Sequence, residues 1–402
     1  MKLRILHALP SVNPAEGGPV EGVRQLTKVN QRFGHNVEIV CLDAPDAPWL
    51  ANAGARVHAL GPGYGRYGYA PRYVPWLREN ARNYDCVIVN GIWQYHCYGT
   101  WLALKKSRVP YCVFPHGMLD PWFKHRYPLK HLKKWLYWPW GVYPVLRDAR
   151  AVFFTCEEEQ RLARESFWLY DCDEIALCYG TEGVPDPARD YRPAFFKKHE
   201  SLRDRRLLLF LGRVHPKKGP DLLIRAVGQL RRAGKWDPAL RVVMAGPADG
   251  DYAEHLRALA RREGIADCVY WTGLVLGDEK WGAFQAAEAF VLPSHQENFG
   301  IAVVEALSAG TPVLLSRQVN IWPEISADGA GLDGDDTVAG CRALLERWLA
   351  LSPATRQTMR RQAVETFRQR YTADTAARSL IARLYLMIAH HFHAHPRSPG
   401  SV

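Results

Sequence analysis

The sequence has 402 residues, of which 48% are hydrophobic and 23% charged, and this composition indicates a globular protein with more than one domain. No run of 18 or more apolar residues is present, so a membrane-spanning helix is not expected, and the apolar run after Met1 is too short for a secretory signal. The nine cysteines include no Cys-x-x-Cys pair, which gives no support to a disulfide framework or a zinc site. We therefore expect a cytoplasmic protein.

The formal net charge is +11, and this bias favours anionic partners. Nucleic acid, an anionic membrane surface and phosphorylated ligands all carry the complementary charge. Net charge does not distinguish among these three classes, so the choice depends on motifs.

Short apolar runs alternate with longer amphipathic segments, which is typical of βαβ units and a mostly parallel sheet. In the first half, the predicted strands cover residues 3–9, 36–42, 56–60, 86–90, 111–115, 151–155 and 174–177. In the second half, they cover residues 207–211, 241–245, 268–271, 289–292 and 312–315. The predicted fold class is α/β, with two Rossmann-like domains whose parallel sheets face a central cleft.

The segment between the two halves is rich in glycine, proline and charge, so it is not expected to build a core element. We interpret residues 181–205 as a linker between a first α/β domain at 1–180 and a second α/β domain at 206–370. Residues 371–402 contain a final helix and a tail, and an apolar face on this helix predicts packing back toward the first domain. The face comprises Ala377, Leu380, Ile381, Leu384, Tyr385 and Ile388.

Gly17, Gly18 and Pro19 lie between the first predicted strand and the helix that follows it. Glycine allows close backbone approach, and proline suits the first position of a helix. The N–H groups at such a helix start suit a phosphate. An ordinary strand-to-helix turn would have the same sequence, and this motif does not choose between the two interpretations.

A cationic loop at residues 212–219 follows the first predicted strand of the second domain. Arg213, Lys217 and Lys218 lie in this loop, at the carboxyl edge of a parallel sheet where α/β proteins bind their ligands. Cations at this position can neutralise the charge that develops on a diphosphate leaving group. The loop therefore predicts phosphate binding.

Two carboxylates, Glu297 and Glu305, follow a buried strand of the second domain. Residues 301–309 are predicted to form a helix, so Glu305 lies about one turn into it, roughly 6 Å of rise beyond Ile301. Carboxylates at this spacing suit two polyol targets, a ribose and a sugar ring. Taken alone, the two residues could equally be a loop charge and a surface helix residue.

The three motifs together resemble the pattern of the retaining glycosyltransferases of family 4, also called group 1, which have the GT-B fold. The matching elements are Glu-x7-Glu at residues 297–305, Gly-Arg-x4-Lys-Gly at residues 212–219, and Gly17-Gly18. The resemblance extends from residue 3 to about residue 390. One departure is Tyr179-Gly-Thr-Glu-Gly183, which replaces the usual Asn-Gly-Val-Asp turn.

The resemblance implies a UDP- or GDP-sugar donor and a role for each matching residue. It also implies that residues 1–180 form the acceptor-side domain and that residues 206–370 form the nucleotide-sugar-binding domain. Arg213 and Lys218 would bind the donor diphosphate with Gly17 and Gly18 close to it, and Glu305 would hold the nucleotide ribose. The donor sugar would be held by Glu297, Asn298, Phe299, Gly300 and Ile301. His116 matches the family histidine near the sugar and the attacking hydroxyl, and its alternative is a helix-capping or core histidine.

The family reaction retains configuration through front-face attack, and the leaving phosphate oxygen accepts the acceptor's proton. The resemblance therefore implies no enzymic nucleophile, no metal, and no cofactor apart from the nucleotide-sugar co-substrate. Three Asp-x-Asp matches, at residues 171–173, 249–251 and 333–335, lie in polar contexts and are interpreted as turn residues.

Residues 122–140 combine basic and aromatic side chains with leucines at helical spacing. Lys130, Lys133 and Lys134 are predicted on one helical face, and Leu129, Leu132 and Leu136 on another. This pattern is typical of a helix at an anionic bilayer surface. A nucleic-acid-binding stripe, or a helix packed on its own sheet, would look similar.

Family members commonly extend lipid-linked sugars, so the resemblance implies a glycan or lipid-linked glycan acceptor at the inner face of the plasma membrane. Surface or extracellular polysaccharide biosynthesis is the corresponding role, and nucleic acid is not expected as a partner. Two other functions remain open. A nucleotide-sugar 2-epimerase shares the architecture but lacks Glu-x7-Glu beside the cationic loop, and a non-catalytic nucleotide-sugar or nucleic-acid binder is favoured only by the charge.

Overall fold

The computed structural model describes residues 2–177, 179–248 and 250–394. The chain divides into two compact units, one of Met1–Gly180 with Ala373–Val402 and the other of Thr181–Thr372. The predicted first domain also ends at residue 180. The tail predicted after the final helix falls on residues 395–402, which lie outside the described residues.

The first unit is built on a sheet of seven parallel strands, flanked by helices. The strands are β1 (Arg4–Ala8), β2 (Asn36–Cys41), β3 (Arg56–Ala59), β4 (Cys86–Asn90), β5 (Tyr111–Phe114), β6 (Ala151–Phe154) and β7 (Glu174–Ala176). The helices are α1 (Gly18–Arg32), α2 (Tyr73–Asn80), α3 (Tyr95–Leu104), α4 (Trp122–Arg126), α5 (Pro128–Tyr137), α6 (Tyr143–Arg147) and α7 (Glu157–Ala163). The central strands β4, β5 and β6 are buried along their whole length, as expected for a parallel sheet covered on both faces.

The strand order of the first unit is β3-β2-β1-β4-β5-β6-β7. The order reverses between β1 and β4, which pair in register from Ile5 and Cys86 to Ala8 and Val89. Such a reversal leaves a crevice at the carboxyl ends of the strands, where open α/β sheets bind their ligands. This edge holds Gly17 in the segment after β1, Asn90 as the last residue of β4, and His116 in the loop after β5.

The second unit has a sheet of six parallel strands in the order β10-β9-β8-β11-β12-β13. The strands are β8 (Arg206–Leu211), β9 (Leu240–Ala245), β10 (Val269–Gly273), β11 (Ala289–Leu292), β12 (Val313–Ser316) and β13 (Gly331–Gly334). The helices are α8 (Arg192–Phe196), α9 (Pro220–Arg232), α10 (Asp251–Arg262), α11 (Gly277–Ala286), α12 (Ile301–Ser308), α13 (Trp322–Ala327), α14 (Val338–Ala350) and α15 (Pro353–Thr366). The predicted α/β class with two parallel sheets is confirmed.

The second sheet reverses its order between β8 and β11, which pair through Leu208 with Ala289 and Leu209 with Phe290. The loop after β8 and the loop after β11 therefore leave the sheet side by side. These are the two loops in which the sequence predicts the cationic site and Glu297.

The interpretation of residues 181–205 as a linker without core elements is wrong. The segment belongs to the second unit, and α8 lies within it and packs against α11. Phe195 of α8 is fully buried, and the backbone N–H of Tyr191 donates to Gln285 Oε1 over 2.7 Å. The glycines and prolines of this segment form its turns, while its aromatic residues supply the apolar surface that anchors it.

The final helix, α16 (Ala373–Ala394), returns to the first unit and packs against α1. The buried face includes Leu380 and Leu384, and an ion pair joins Arg32 of α1 to Asp374 of α16. Within the described ranges, none of the helices combines the length and the apolar character needed to cross a membrane.

Candidate active site

The cationic loop after β8 is shaped by two glycines. Gly219 has φ +65° and immediately precedes α9, and a Cβ there would lie 2.1 Å from the carbonyl oxygen of Pro293. A Cβ on Gly246 would lie 1.9 Å from the carbonyl oxygen of Gly212. Because no side chain fits at either position, the loop lies directly against the segment after β11 at Gly219 and against the segment after β9 at Gly212.

Hydrogen bonds and an ion pair hold this loop to the segment after β11. The Lys217 carbonyl oxygen accepts from His295 N–H over 2.8 Å and from the Ser294 hydroxyl over 2.9 Å. Lys218 Nζ forms an ion pair with Glu297 Oε2, and the two side chains are 22% and 17% exposed. The structure thus brings together two of the residues predicted for the site, Lys218 and Glu297.

Three cationic residues that lie close together in the sequence determine the electrostatics of the loop. Burial and the charges of Lys217 and Arg213 lower the pKa of Lys218, whereas the direct Glu297 contact favours its charged form. Arg213 is exposed and, within the part of the chain that the structure describes, makes no ion pair. The loop therefore presents an unengaged guanidinium next to a partly buried ammonium, a pair suited to binding phosphate oxygens.

The backbone around Glu297 is fixed by pairing with the segment after β12. Glu297 N–H donates to the Gln318 carbonyl over 2.8 Å, and Asn320 N–H donates to the Glu297 carbonyl over 3.0 Å. The amide of Asn320 also donates to Asn298 Oδ1 over 3.4 Å. Glu297 is thus held on a short, rigid segment.

The remaining residues of the motif lead into α12. Gly300 has φ +72° and precedes Ile301, the half-buried first residue of the helix. The Phe299 side chain is only 5% exposed and packs edge-on against Tyr371, with 5.8 Å between the ring centroids. The Phe299 ring is therefore part of the packed interior of the second unit.

Glu305 lies in α12, and its carboxylate accepts a 2.7 Å hydrogen bond from Lys280 Nζ of α11. The side chains are 14% and 22% exposed, so Glu305 is largely buried instead of lying on the helix surface. Sequence reasoning missed Lys280. Twenty-five residues separate the two partners, and no local pattern marks the contact.

His116, in the first unit, occupies a strained position on the loop after β5. Its φ is +52°, and it is the one non-glycine residue with positive φ among those that the structure describes. The adjacent backbone is clamped by Glu159, whose carboxylate accepts from Gly117 N–H over 2.6 Å and from the Thr155 hydroxyl over 2.7 Å. Strain maintained by surrounding contacts in this way is typical of functional positions.

Hydrogen bonds assign the tautomer of His116. Its Nε2 lies 3.0 Å from Asn90 Oδ1, and the Asn90 amide nitrogen lies 3.2 Å from His7 Nδ1. Because an amide oxygen only accepts, Nε2 of His116 carries the proton and Nδ1 has a free lone pair. Burial and the nearby His7 lower the pKa of His116 to about 3, so the ring is neutral near pH 7.

The glycine motif after β1 forms the start of α1. Gly17 has φ +88°, α1 begins at Gly18, and a Cβ on Gly17 would meet no atom within 4 Å. Tyr179 is the first residue of the segment that replaces the family's Asn-Gly-Val-Asp turn. It packs against this helix and leaves no room for a Cβ on Gly22. Its ring also lies 5.9 Å from the ring of His116, so the substitution fills the region between α1 and the histidine loop.

The basic and aromatic segment forms α4 and α5, and no residue of α5 is buried. Leu129, Leu136 and Trp140 are 78%, 62% and 78% exposed, so they do not pack on the sheet of the first unit. Lys130 and Lys134 lie on one side of α5, as predicted, and Lys134 is the less exposed of the two. Lys134 turns inward, with Nζ 4.2 Å from the ring centroid of Trp93.

Two aspartates of the Asp-x-Asp matches accept hydrogen bonds from one arginine. Arg317 donates to Asp333 over 2.8 Å and to Asp335 over 3.1 Å, while Asp249 lies outside the described residues. Across the described ranges, no group of three or more His, Cys, Asp or Glu side chains could hold a metal ion.

Comparison with known proteins matches both units to family models. Residues 17–173 match the glycosyl transferase 4-like domain, and residues 192–365 match the glycosyl transferases group 1. The D-inositol 3-phosphate glycosyltransferase of Streptomyces avermitilis is 31% identical over 331 residues, covering 69% of this chain and 70% of the relative. The corresponding enzyme of Streptomyces griseus is 30% identical and covers 61% and 66%. The chain thus spans about two thirds of the length of these relatives.

Solved structures share the fold over nearly the whole chain. Sucrose-phosphate synthase from Thermosynechococcus elongatus has a TM-score of 0.73 at 19% identity, covering 97% of this chain and 100% of the other. Anabaena HepE in complex with UDP has a TM-score of 0.74 at 17% identity, covering 96% and 100%. At these identities the likeness establishes the fold alone.

Proposed function

The chain belongs to the group 1 glycosyltransferases and has the GT-B fold, and from this premise we propose that it is a retaining hexosyltransferase. It moves a sugar from a UDP- or GDP-sugar to a hydroxyl of a glycan acceptor. The observation that carries the proposal is the Lys218–Glu297 ion pair beside the exposed Arg213, at the point where the second sheet reverses its order.

The second unit binds the donor in this proposal. Arg213 and Lys218 hold the diphosphate, and Glu305, steadied by Lys280, accepts hydrogen bonds from the ribose hydroxyls. Glu297 and the backbone from Asn298 to Ile301 hold the sugar. Anabaena HepE, which has the same fold, has been solved in complex with UDP-glucose. This supports the proposal that the present chain also uses a nucleotide-sugar donor.

The reaction exchanges one C1–O bond for another on the same face of the sugar. The bond from C1 to the β-phosphate oxygen breaks, and the bond from C1 to the acceptor oxygen forms. The proton of the acceptor hydroxyl passes to the leaving phosphate oxygen, so no enzymic base is required. Arg213 and Lys218 stabilise the charge that develops on the diphosphate, and catalysis depends on this stabilisation and on orientation.

His116 acts as a neutral hydrogen-bond acceptor in this scheme. Nε2–H is committed to Asn90, so Nδ1 is the atom that accepts from a hydroxyl of the transferred sugar or the acceptor. The first unit also includes Gly17 and Gly18, which we place near the donor diphosphate.

The proposed mechanism uses the cationic side chains of Arg213 and Lys218, and no metal ion, to stabilise the diphosphate. We expect EDTA to leave turnover unchanged. A loss of activity that added Mg²⁺ or Mn²⁺ restores would contradict the proposed role of Arg213 and Lys218.

We propose further that the acceptor is lipid-linked and that the protein works in the cytoplasm at the inner face of the plasma membrane, in surface or extracellular polysaccharide synthesis. Support comes from the exposed leucines of α5, from Trp140, and from the exposed Lys130 and Lys133. No acidic residue lies between Asp120 and Asp148. An exposed apolar ridge bordered by lysines suits an anionic bilayer surface.

Hydrolysis of a nucleotide-sugar panel tests the catalytic proposal. We expect slow release of UDP or GDP from one donor without acceptor, and faster release with a glycan acceptor. A pure binder would show saturable binding and no release. Conversion of a nucleotide sugar into its C2 epimer, with no transfer, would support the epimerase alternative instead.

Flotation with vesicles tests the membrane proposal. Each lysine near an anionic surface contributes about 1 kcal/mol, so the Lys130→Glu/Lys133→Glu variant should bind phosphatidylglycerol vesicles at least roughly thirtyfold more weakly. Phosphatidylcholine vesicles are the control. Equal binding of wild type and variant to the anionic vesicles would contradict the proposal.

A further inference from the structure

A small cavity lies beneath α4 and α5 in the first unit, and no motif of the family pattern accounts for it. Its volume is about 60 Å³, and a single water needs roughly 10–15 Å³ on the same measure, so a group of several heavy atoms fits. Its lining includes Trp93, Met118, Asp120, Lys130, His131 and Lys134.

Lys134 is the unusual member of this lining. Its ammonium lies over Trp93 and 5.5 Å from the ring centroid of Phe123, and it makes no ion pair or hydrogen bond with any described residue. Burial and the charge of Lys130 lower the pKa of Lys134 to about 8. A half-buried ammonium without an anionic partner is unfavourable, because cation–π contacts offset only part of the lost hydration.

The surroundings of Lys134 are held in place by other contacts. Trp93 Nε1–H donates to the Met118 carbonyl over 3.4 Å, and the Trp93 ring packs against Phe167 at 5.6 Å between centroids. The Asp120 carboxylate accepts from Trp122 N–H over 2.8 Å at the start of α4. The cavity is thus a fixed pocket in which cations outnumber carboxylates.

We propose that this cavity binds a phosphate group of the acceptor substrate. Lys130 and Lys134 are four residues apart on α5, so their like charges destabilise the helix until an anion lies between them. A phosphate dianion supplies both the missing charge and several acceptor oxygens for two ammonium groups. A sugar hydroxyl supplies neither charge.

The position of the cavity relates this inference to the reaction. His116 and Asp120 are the two ends of one clamped loop, so their Cα atoms are at most about 14 Å apart. A phosphate in the cavity therefore leaves the sugar attached to it close to the histidine loop. The inference rests on the proposed transferase function, since it names the class of acceptor as a phosphorylated or diphosphate-linked glycan.

Residue-resolved acetylation tests the site without requiring turnover. At pH 8 the lowered pKa of Lys134 leaves a substantial fraction of its amine neutral and reactive, and mass spectrometry measures the modification rate of each lysine. We expect inorganic phosphate and glucose 1-phosphate to slow acetylation of Lys134 on the order of tenfold while the exposed Lys133 is unaffected. Glucose is the uncharged control. Equal rates for Lys134 with and without both phosphates would overturn the proposal.

Two further measurements of Lys134 acetylation identify the source of the phosphate. Protection by phosphatidylcholine vesicles that carry a polyprenyl phosphate, at concentrations where glucose 1-phosphate has no effect, indicates a lipid-linked acceptor. Protection by the free sugar phosphate alone indicates a soluble acceptor. Protection by plain phosphatidylcholine vesicles would show that α5 is merely covered, and this result counts against a phosphate site.

Kinetics of three variants separate a phosphate contact from a structural role. Lys134→Met should raise the acceptor KM roughly ten- to hundredfold, the loss expected for a charge-assisted hydrogen bond, with kcat nearly unchanged. Lys134→Arg should restore most of the affinity, and Lys106→Met, at an exposed lysine of the first unit, is the control. Donor hydrolysis without acceptor should be equal in all variants. Loss of hydrolysis in the wild type would instead mean that the proposed function, and not the phosphate site, has failed.

Discussion

Replacing Lys218 by methionine tests the donor site most sharply, because methionine keeps the length of the side chain and removes its charge. Lys218 lies against Glu297 in the loop that we propose holds the diphosphate. Removing one preorganised group that stabilises developing negative charge lowers kcat by about 10²–10³, equivalent to about 2.7–4 kcal/mol. We expect a loss of turnover in this range for Lys218→Met.

The same substitution has a separate effect on stability. It leaves the Glu297 carboxylate, only 17% exposed, without its cation. Breaking a fully buried pair costs about 3–5 kcal/mol, and an exposed pair contributes about 0.2–1 kcal/mol, so a partly buried pair falls between these limits. We expect a loss of about 1–3 kcal/mol in the free energy of unfolding.

The double variant Lys218→Met/Glu297→Gln separates the two effects. It removes the stranded carboxylate, so most of the stability should return while kcat remains low. Lys217→Met is the matched control, since the hydrogen bonds of that residue to His295 and Ser294 use its carbonyl oxygen. This control should lose less than about tenfold in kcat, because the ion pair with Glu297 remains in place.

The assay is release of UDP or GDP from the preferred donor, with urea unfolding measured on the same preparations. Near wild-type kcat in Lys218→Met would refute the proposed diphosphate contact. Recovery of kcat together with stability in the double variant would also refute it, because the loss would then come from the stranded carboxylate.

Three more predictions follow from the site and its histidines. Glu305→Gln should raise the donor KM about tenfold, since the ribose loses a charged acceptor, as measured by donor-saturation kinetics. Asn90→Leu should lower kcat roughly ten- to hundredfold without changing UDP or GDP affinity by calorimetry, because Nε2–H of His116 loses the acceptor that fixes its tautomer. Burial lowers the pKa of both His7 and His96 to about 4, so the unfolded state binds more protons as pH falls through 6.5. Urea unfolding should therefore show a loss of about 2 kcal/mol per histidine between neutral pH and pH 5.

Each of these predictions has a contradicting outcome. Unchanged donor KM in Glu305→Gln would remove this residue from the ribose site. A wild-type rate in Asn90→Leu would show that the tautomer of His116 does not matter. His7→Gln should lose about a third of the acid sensitivity, since the pKa values of His96 and His116 are lowered in the same way. An unchanged pH profile in that variant would show that His7 does not contribute.

The strand pattern was predictable because each strand is a short apolar run between turn residues. Twelve strands agree with the prediction to within two residues. The edge strand β13, Gly331–Gly334, was missed because it contains two glycines and an aspartate, and its pairing with β12 depends on tertiary contacts. The helix α8 was missed for the related reason that glycine and proline outweighed the aromatic residues near it.

The sequence motifs of the candidate site could be predicted, whereas the side chains that contact the motif residues could not. The loop after β8 and the loop after β11 were placed correctly at one sheet edge, because parallel strands end at a common edge. The Lys280–Glu305 contact and the Asn90–His116 contact join distant segments, and no local pattern encodes them. The inward turn of Lys134 could not be distinguished from an exposed helical face, since periodicity does not show what lies beneath a helix.

The stereochemistry of transfer tests the central claim most directly. Proton NMR of the anomeric signal, recorded while the preferred nucleotide sugar is consumed, identifies the configuration of the first product before mutarotation. We expect the product to keep the donor's anomeric configuration, and Lys218→Met to slow its appearance by at least about a hundredfold. An inverted first product, or no turnover with any UDP- or GDP-sugar, would contradict the account.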